Sequence, residues 1–151
     1  MTISQNYIDK NIDICVLETS ALPGPADVFV GWATSGTVIA GPYKVVQKFV
    51  KFLLTERGSV PADTSYGTLF ISKLMAGQIF SEVSLSLEFY AELSDILNYI
   101  DSSELNPSPD EALSRVTLQS ISVSSDSATI KILFEFQNSS TILAPVSIST
   151  V

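Results

Sequence analysis

Residues 43–67, YKVVQKFVKFLLTERGSVPADTSYG, constrain the fold more than any other stretch of the chain. Val46, Phe49, Val50, Leu53 and Leu54 recur at spacings of three and four, which puts them on one face of an α-helix. Lys44, Lys48 and Lys51 fall mostly off that stripe, giving the helix a basic side. Pro42 is placed to start it, because a first-turn residue needs no amide hydrogen. Gly58 stands where a left-handed C-terminal cap is expected, since glycine takes positive φ without steric cost. Pro61 forbids continuation, and residues 62–64 read as a turn before Tyr66-Gly67-Thr68 leads into a second apolar segment.

The remaining chain divides by period. Residues 1–11 are polar and read as an arm, followed by a short strand over 12–17. Two prolines around Gly24 mark a loop, and extended pieces follow over 27–32 and 37–40 with a turn at Ser35-Gly36. Trp32 reads as a core or interface anchor. Leu69, Phe70, Leu74 and Met75 predict a two-turn helix stopping near Gly77. Ser81 caps a longer one, with Leu85, Phe89, Leu93, Ile96, Leu97 and Ile100 on its apolar stripe and Glu88, Glu92 and Asp95 on another. Ser108-Pro109-Asp110-Glu111 has capping-box spacing and predicts a fourth helix of a turn or two.

Beyond that point the period becomes two. Ala128, Ile130, Ile132, Phe134 and Phe136 alternate with polar residues, as in a half-buried strand. Val116 and Leu118 share one parity while Ile121 and Val123 share the other, which predicts a β-bulge near Gln119-Ser120. Ser125-Asp126-Ser127 supplies a hairpin turn. Ile142, Val146 and Ile148 mark a third strand, and Pro145, lacking an amide hydrogen, assigns it to an edge. The expected class is α+β, with central helices packed on a mainly antiparallel sheet formed largely by the C-terminal third. Residues 1–26 form an arm and strand, and 27–151 a single domain.

Composition limits the chemistry. The 151 residues suit one domain, with 46% hydrophobic and only 16% charged side chains. So little charge implies that part of the surface is covered by partners. A net charge of −8 with eight basic residues argues against nucleic acid as a direct ligand. Cys15, alone and in an apolar run, reads as a buried thiol, not a disulfide or metal ligand. Without histidine there is no His-based triad and no Cys/His zinc cluster, and no Gly-rich phosphate loop is present. No catalytic, cofactor-binding or metal-binding residue is assigned. No apolar run is long enough to span a membrane, and no signal peptide is read at the N-terminus. Paired carboxylates are the one remaining catalytic route, with Glu56, Asp63, Glu111 and Glu135 as candidates by position.

Charge is unevenly placed. Lys44, Lys48, Lys51 and Arg57 are half of the eight basic residues, within fourteen positions. Between Lys73 and Arg115 no basic residue occurs, while eight acids do. Two arrangements are open: the basic and acidic helices pair with each other, or each faces a different neighbour in an assembly.

LLTERGS followed by PADTSYGT resembles the phage baseplate wedge proteins that initiate the tail sheath, a family that includes a type VI secretion baseplate subunit. Leu53, Leu54, Thr55, Glu56, Arg57, Gly58, Pro61, Tyr66 and Gly67 occupy the family pattern: a Leu-Leu-Thr helix end, a charged pair, Gly, a Pro-containing turn and an aromatic-Gly. The likeness covers roughly residues 43–137. Of the family's Glu-Pro-Arg motif before the first C-terminal strand, only Arg115 is present, after Leu113-Ser114. The resemblance implies a structural protein of a contractile tail baseplate, without enzymatic activity, assembled in the host cytoplasm. Implied partners are baseplate wedge proteins and the tail sheath protein, with tail tube or hub proteins as further neighbours, and no cofactor. The lysine face of the central helix and Arg57 are expected to meet an acidic partner, with Arg115 as a further contact. Ile142, Val146 and Ile148 are expected to lie on the strand edge where sheath strands add. The alternatives are a lysozyme-like peptidoglycan-cleaving glycosidase of the tail, and a small adaptor domain.

Overall fold

The computed structural model describes residues 13–14, 17–19, 28–32, 38–79, 81–104 and 106–149. Cys15, the 1–11 arm, the 21–26 loop and the Ser35-Gly36 turn lie outside the described residues. Among the described residues, four short strands precede the helices: β1 (Asp13–Ile14), β2 (Leu17–Thr19), β3 (Val28–Trp32) and β4 (Val38–Ile39). β1 pairs antiparallel with β4, and β2 with β3. Helices α1 (Pro42–Leu54), α2 (Phe70–Met75) and α3 (Glu82–Ser103) follow. The C-terminal third forms an antiparallel sheet of β5 (Leu113–Val123), β6 (Ser127–Phe136) and β7 (Thr141–Ser149), in the order β5-β6-β7. The class is α+β, as its sequence periods require.

α1 is the centre of the core. Pro42 occupies its first turn, and Val45, Val46, Phe49, Val50, Phe52 and Leu53 are all buried. Phe49 packs edge-on against Phe134 of β6 at 5.0 Å between ring centroids and lies 6.1 Å from Phe89 of α3. One aromatic side chain therefore joins α1, α3 and the sheet. α2 ends in a Schellman arrangement: Gly77 (φ +69) donates to the Leu74 carbonyl and Gln78 to that of Lys73. Ser81 caps α3 reciprocally with Ser84, at 3.1 and 3.0 Å.

The alternating residues of β6, Ala128 to Phe136, are buried as a set. The register shifts between Leu118 and Ser120, so Leu118 opposes Ile132 and Ile121 opposes Ile130. That bulge brings apolar residues of opposite parity to one face. β7 keeps an unbroken register through Pro145, opposite Lys131. A proline fits there if its nitrogen turns away from β6, toward the outer edge.

Two local readings are corrected. Residues 108–112 form one turn, not a fourth helix. Glu111 and Ala112 donate to the Ser108 carbonyl at 2.8 and 2.9 Å, but Leu113 already enters β5. Gly58 does not cap α1 either. Thr55, the cap residue, is extended, and Gly58 (φ +87) is the third residue of a turn closed by Ser59 donating to Glu56 at 3.0 Å.

Candidate functional site

The 55–68 segment folds back on itself. Arg57 donates its amide to the Thr68 carbonyl and Thr68 donates to Thr55, each at 2.9 Å, making a parallel bridge between Glu56 and Thr68. The buried Thr68 hydroxyl donates to the Leu53 carbonyl at 2.7 Å, satisfying an acceptor orphaned by the helix end. Pro61 sits second in the turn closed by Asp63 donating to Val60, where its fixed φ fits. Gly67 is at φ +99, and a Cβ there would lie 2.4 Å from the Thr55 carbonyl oxygen. Tyr66 packs against Phe52 and Tyr99 at 4.8 and 5.1 Å. Gly58, Pro61, Tyr66 and Gly67 are thus parts of one closed loop pinned to α1 and α3.

Arg57 locks that loop to α3. Its Nε donates to the Gly67 carbonyl at 3.2 Å, and an Nη reaches Glu92 and Asp95, each at 3.0 Å. Glu92 is buried and also accepts from the Leu69 amide at 3.3 Å. The expected outward acidic stripe of α3 is therefore partly internal. Its spacing from Phe89 and Ile96 places Glu92 on the buried face.

The lysines of α1 also turn inward. Lys44 is 1% exposed, and its Nζ lies 3.0 Å from Glu104 and 3.0 Å from Glu111. Lys48 bonds Glu104 as well, and its Nζ donates to Ser103 at 3.4 Å. Glu111 accepts from the Ser108 hydroxyl at 2.9 Å. Burial alone would raise the Glu111 pKa, but Lys44 and Ser108 together outweigh it and hold the carboxyl below its ordinary value. Lys44, Lys48 and Arg57 thus do not present a free basic face to a partner. Internal pairing wins over the assembly arrangement at these positions, and only Lys51 of the three lysines is exposed. The overlooked signal was apolar residues off the stripe: Val45 and Phe52 show that α1 is covered nearly all round.

Beyond this charge cluster, Arg115 is exposed on β5 opposite Glu135. Ile142 and Val146 are core residues, and Ile148 is half-buried against the core. Their side chains are not a docking surface. What β7 offers outward is its backbone. At the other edge, the Leu118 amide of β5 donates to the Tyr90 hydroxyl of α3 at 3.2 Å, so the helix covers that edge at the bulge. β3 approaches β7, but among the described residues no ladder joins them.

The four candidate acids do not converge. Glu56 sits at the bridge to Thr68, Glu111 is buried with Lys44, and Glu135 lies on β6. Asp63 lines a surface groove of about 520 Å³, with Phe52, Arg57, Tyr66, Asp95 and Tyr99 among its neighbours, and Glu111 lines a separate one of about 360 Å³ with Asp101 and Glu104. Hydrogen bonds from the Ser65 hydroxyl and amide, at 2.6 and 3.0 Å, hold the Asp63 pKa below its ordinary value. Among the described residues, no group of His, Cys, Asp and Glu is placed to hold a metal, and no helix is long and apolar enough to cross a membrane. No protein-family model, curated protein or solved structure matches the chain.

Proposed function

We propose that this chain is a structural subunit of a contractile-tail baseplate, placed where the sheath begins and joined to wedge proteins and the sheath protein. The observation that carries this reading is the asymmetry of the C-terminal sheet. Its β5 edge meets α3 through Tyr90, whereas β7 turns its outer backbone groups away from β6, and although β3 lies near β7, no ladder joins the two among the described residues. An added strand satisfies such groups, and the apolar face built by Ile142, Ala144 and Val146 sets its register. Pro145 limits uncontrolled self-pairing at one position. The motif that resembles the sheath-initiator family forms a closed, pinned loop, which suits a rigid scaffold role.

The peptidoglycan-cleaving alternative draws on the groove, which combines carboxylates with tyrosines. A general acid of such an enzyme needs a raised pKa. Asp63 has a lowered one, and Asp95 is paired with Arg57. These features argue against a general acid in this groove.

Gene neighbourhood and particle composition test it. Sheath, tube and wedge genes beside this one, with the protein present in purified tails at the baseplate end, are the expected result. Robust clearing of cell walls by the purified protein, abolished by Asp63→Asn, would overturn the reading in favour of the enzyme.

A further inference from the structure

We propose that the β2–β3 ribbon is a displaceable cover for the β7 edge, held beside it in the free protein and moved aside when a strand from another protein is added. The inference rests on the reading of β7 as the edge where strands add, and supplies the regulation of that edge. Strands β1 to β4 make one ribbon: the rungs Asp13↔Ile39, Ile14↔Val38, Leu17↔Trp32, Glu18↔Phe29 and Thr19↔Val28 follow in order along two antiparallel strands. Its base is fixed, because Ile39 is buried just before α1 begins. Its far part reaches the sheet. Cα atoms of β3 come within 8 Å of those of β7, closer than the about 10 Å between stacked sheets, so β3 flanks β7 instead of packing over its face. Both strands lack what a regular ladder needs. The β2–β3 register passes from Leu17↔Trp32 to Glu18↔Phe29, so Val30 and Gly31 bulge from β3 and put its spacing out of step. Pro145 offers no amide midway along β7. Among the described residues no ladder joins β3 to β7. A neighbour of this kind keeps other chains from the edge, yet moving it breaks no row of backbone bonds. An incoming strand of regular spacing bonds at Leu143 and Ser147 and takes its place.

Hydrogen exchange in the free, full-length protein tests this. The Leu143 and Ser147 amides are expected to exchange faster than that of Ile132 on the central strand, because the cover opens without global unfolding. Val28→Pro/Val30→Pro removes two amides from a five-residue strand and takes β3 off the edge. Leu143 and Ser147 are then expected to exchange about tenfold faster still, with Ile132 unchanged. Unchanged exchange at Leu143 and Ser147 in that variant overturns the proposal. So does exchange as slow as that of Ile132 in the native chain, which would make β3 a permanent strand of the sheet. A variant that also speeds Ile132 has lost its fold, and a nitroxide carried by Ser147→Cys in a Cys15→Ser chain then decides. It is expected to broaden the amide resonances of Val28–Trp32, and sharp β3 resonances overturn the cover. Binding of sheath subunits is expected to remove that broadening, and protection of Leu143 with the broadening retained overturns the displacement. Sheath subunits that fail to bind, with the free-protein results as expected, count against the baseplate reading alone.

Discussion

Gly67 and Gly58 both sit at positive φ, yet they answer to different constraints. A side chain at Gly58 meets nothing within 4 Å, so Gly58→Ala costs only backbone strain, roughly 1 kcal/mol. At Gly67 the new Cβ meets the Thr55 carbonyl inside the bridge that closes the loop. Gly67→Ala is therefore expected to cost at least ~2 kcal/mol, more than Gly58→Ala, in urea unfolding. Lys44 is the other decisive residue. Replacing it with methionine strands Glu111 and leaves Glu104 with Lys48 alone, and should cost about 3–5 kcal/mol, whereas Lys51→Glu, an exposed change in the last turn of α1, should cost about 1 kcal/mol or less. The triple change of Lys44, Lys48 and Lys51 to Glu is accordingly expected to unfold the isolated protein. A cooperative, near-native melt of that variant would contradict the internal ion pairs. The pH dependence follows from Glu111. Its folded pKa lies below the ordinary 4.5, so the unfolded chain takes up the proton first. Its contribution is complete at neutral pH, begins to fade as pH drops below the ordinary value, and is lost as pH falls through the folded pKa. An NMR titration of the Glu111 carboxyl checks the direction, and a midpoint above 4.5 would refute it.

Elements differ in how far the sequence discloses them. The bulge in β5 was legible because a parity switch has one common structural cause, and Leu118 and Ile121 duly share a face. The helices α2 and α3 were legible from caps and stripes. The fourth helix was not, because Ser108 and Glu111 form their reciprocal contacts on a single turn, and Glu111 is wanted by Lys44. α1 misled for a related reason. Its lysines look solvated until the acids at 104 and 111, sixty residues away, are brought beside them, and no local pattern encodes that meeting. Glu92 was misplaced in the same way, its charge absorbed by Arg57. At this scale Tyr90 makes a specific forecast. Tyr90→Phe removes the acceptor for the Leu118 amide at an exposed site, so stability should change by less than about 1 kcal/mol while that amide exchanges faster. Unchanged exchange at Leu118 would mean that α3 does not guard the β5 edge.

Among the described residues, a helix covered on nearly every side carries a sheet with one edge met by α3 and another, β7, that β3 approaches without pairing. The class and the location of the sheet followed from the change of period after residue 112. The candidate site did not follow as directly, because Ile142 and Val146 mark the right strand but spend their side chains on the core. Removing β7 therefore destroys the fold and tests nothing about docking. A finer change is available at Ser147, which shares the outward parity of Pro145 and lies at the exposed end of the strand. The most direct measurement is hydrogen exchange of the outward amides of Leu143 and Ser147, in the free protein and after mixing with sheath subunits of the contractile tail that the proposed function requires. Strand addition at β7 predicts strong new protection at both positions, and loss of sheath nucleation by a folded Ser147→Pro protein. Sheath that assembles on this protein with both amides exchanging as before would contradict the account.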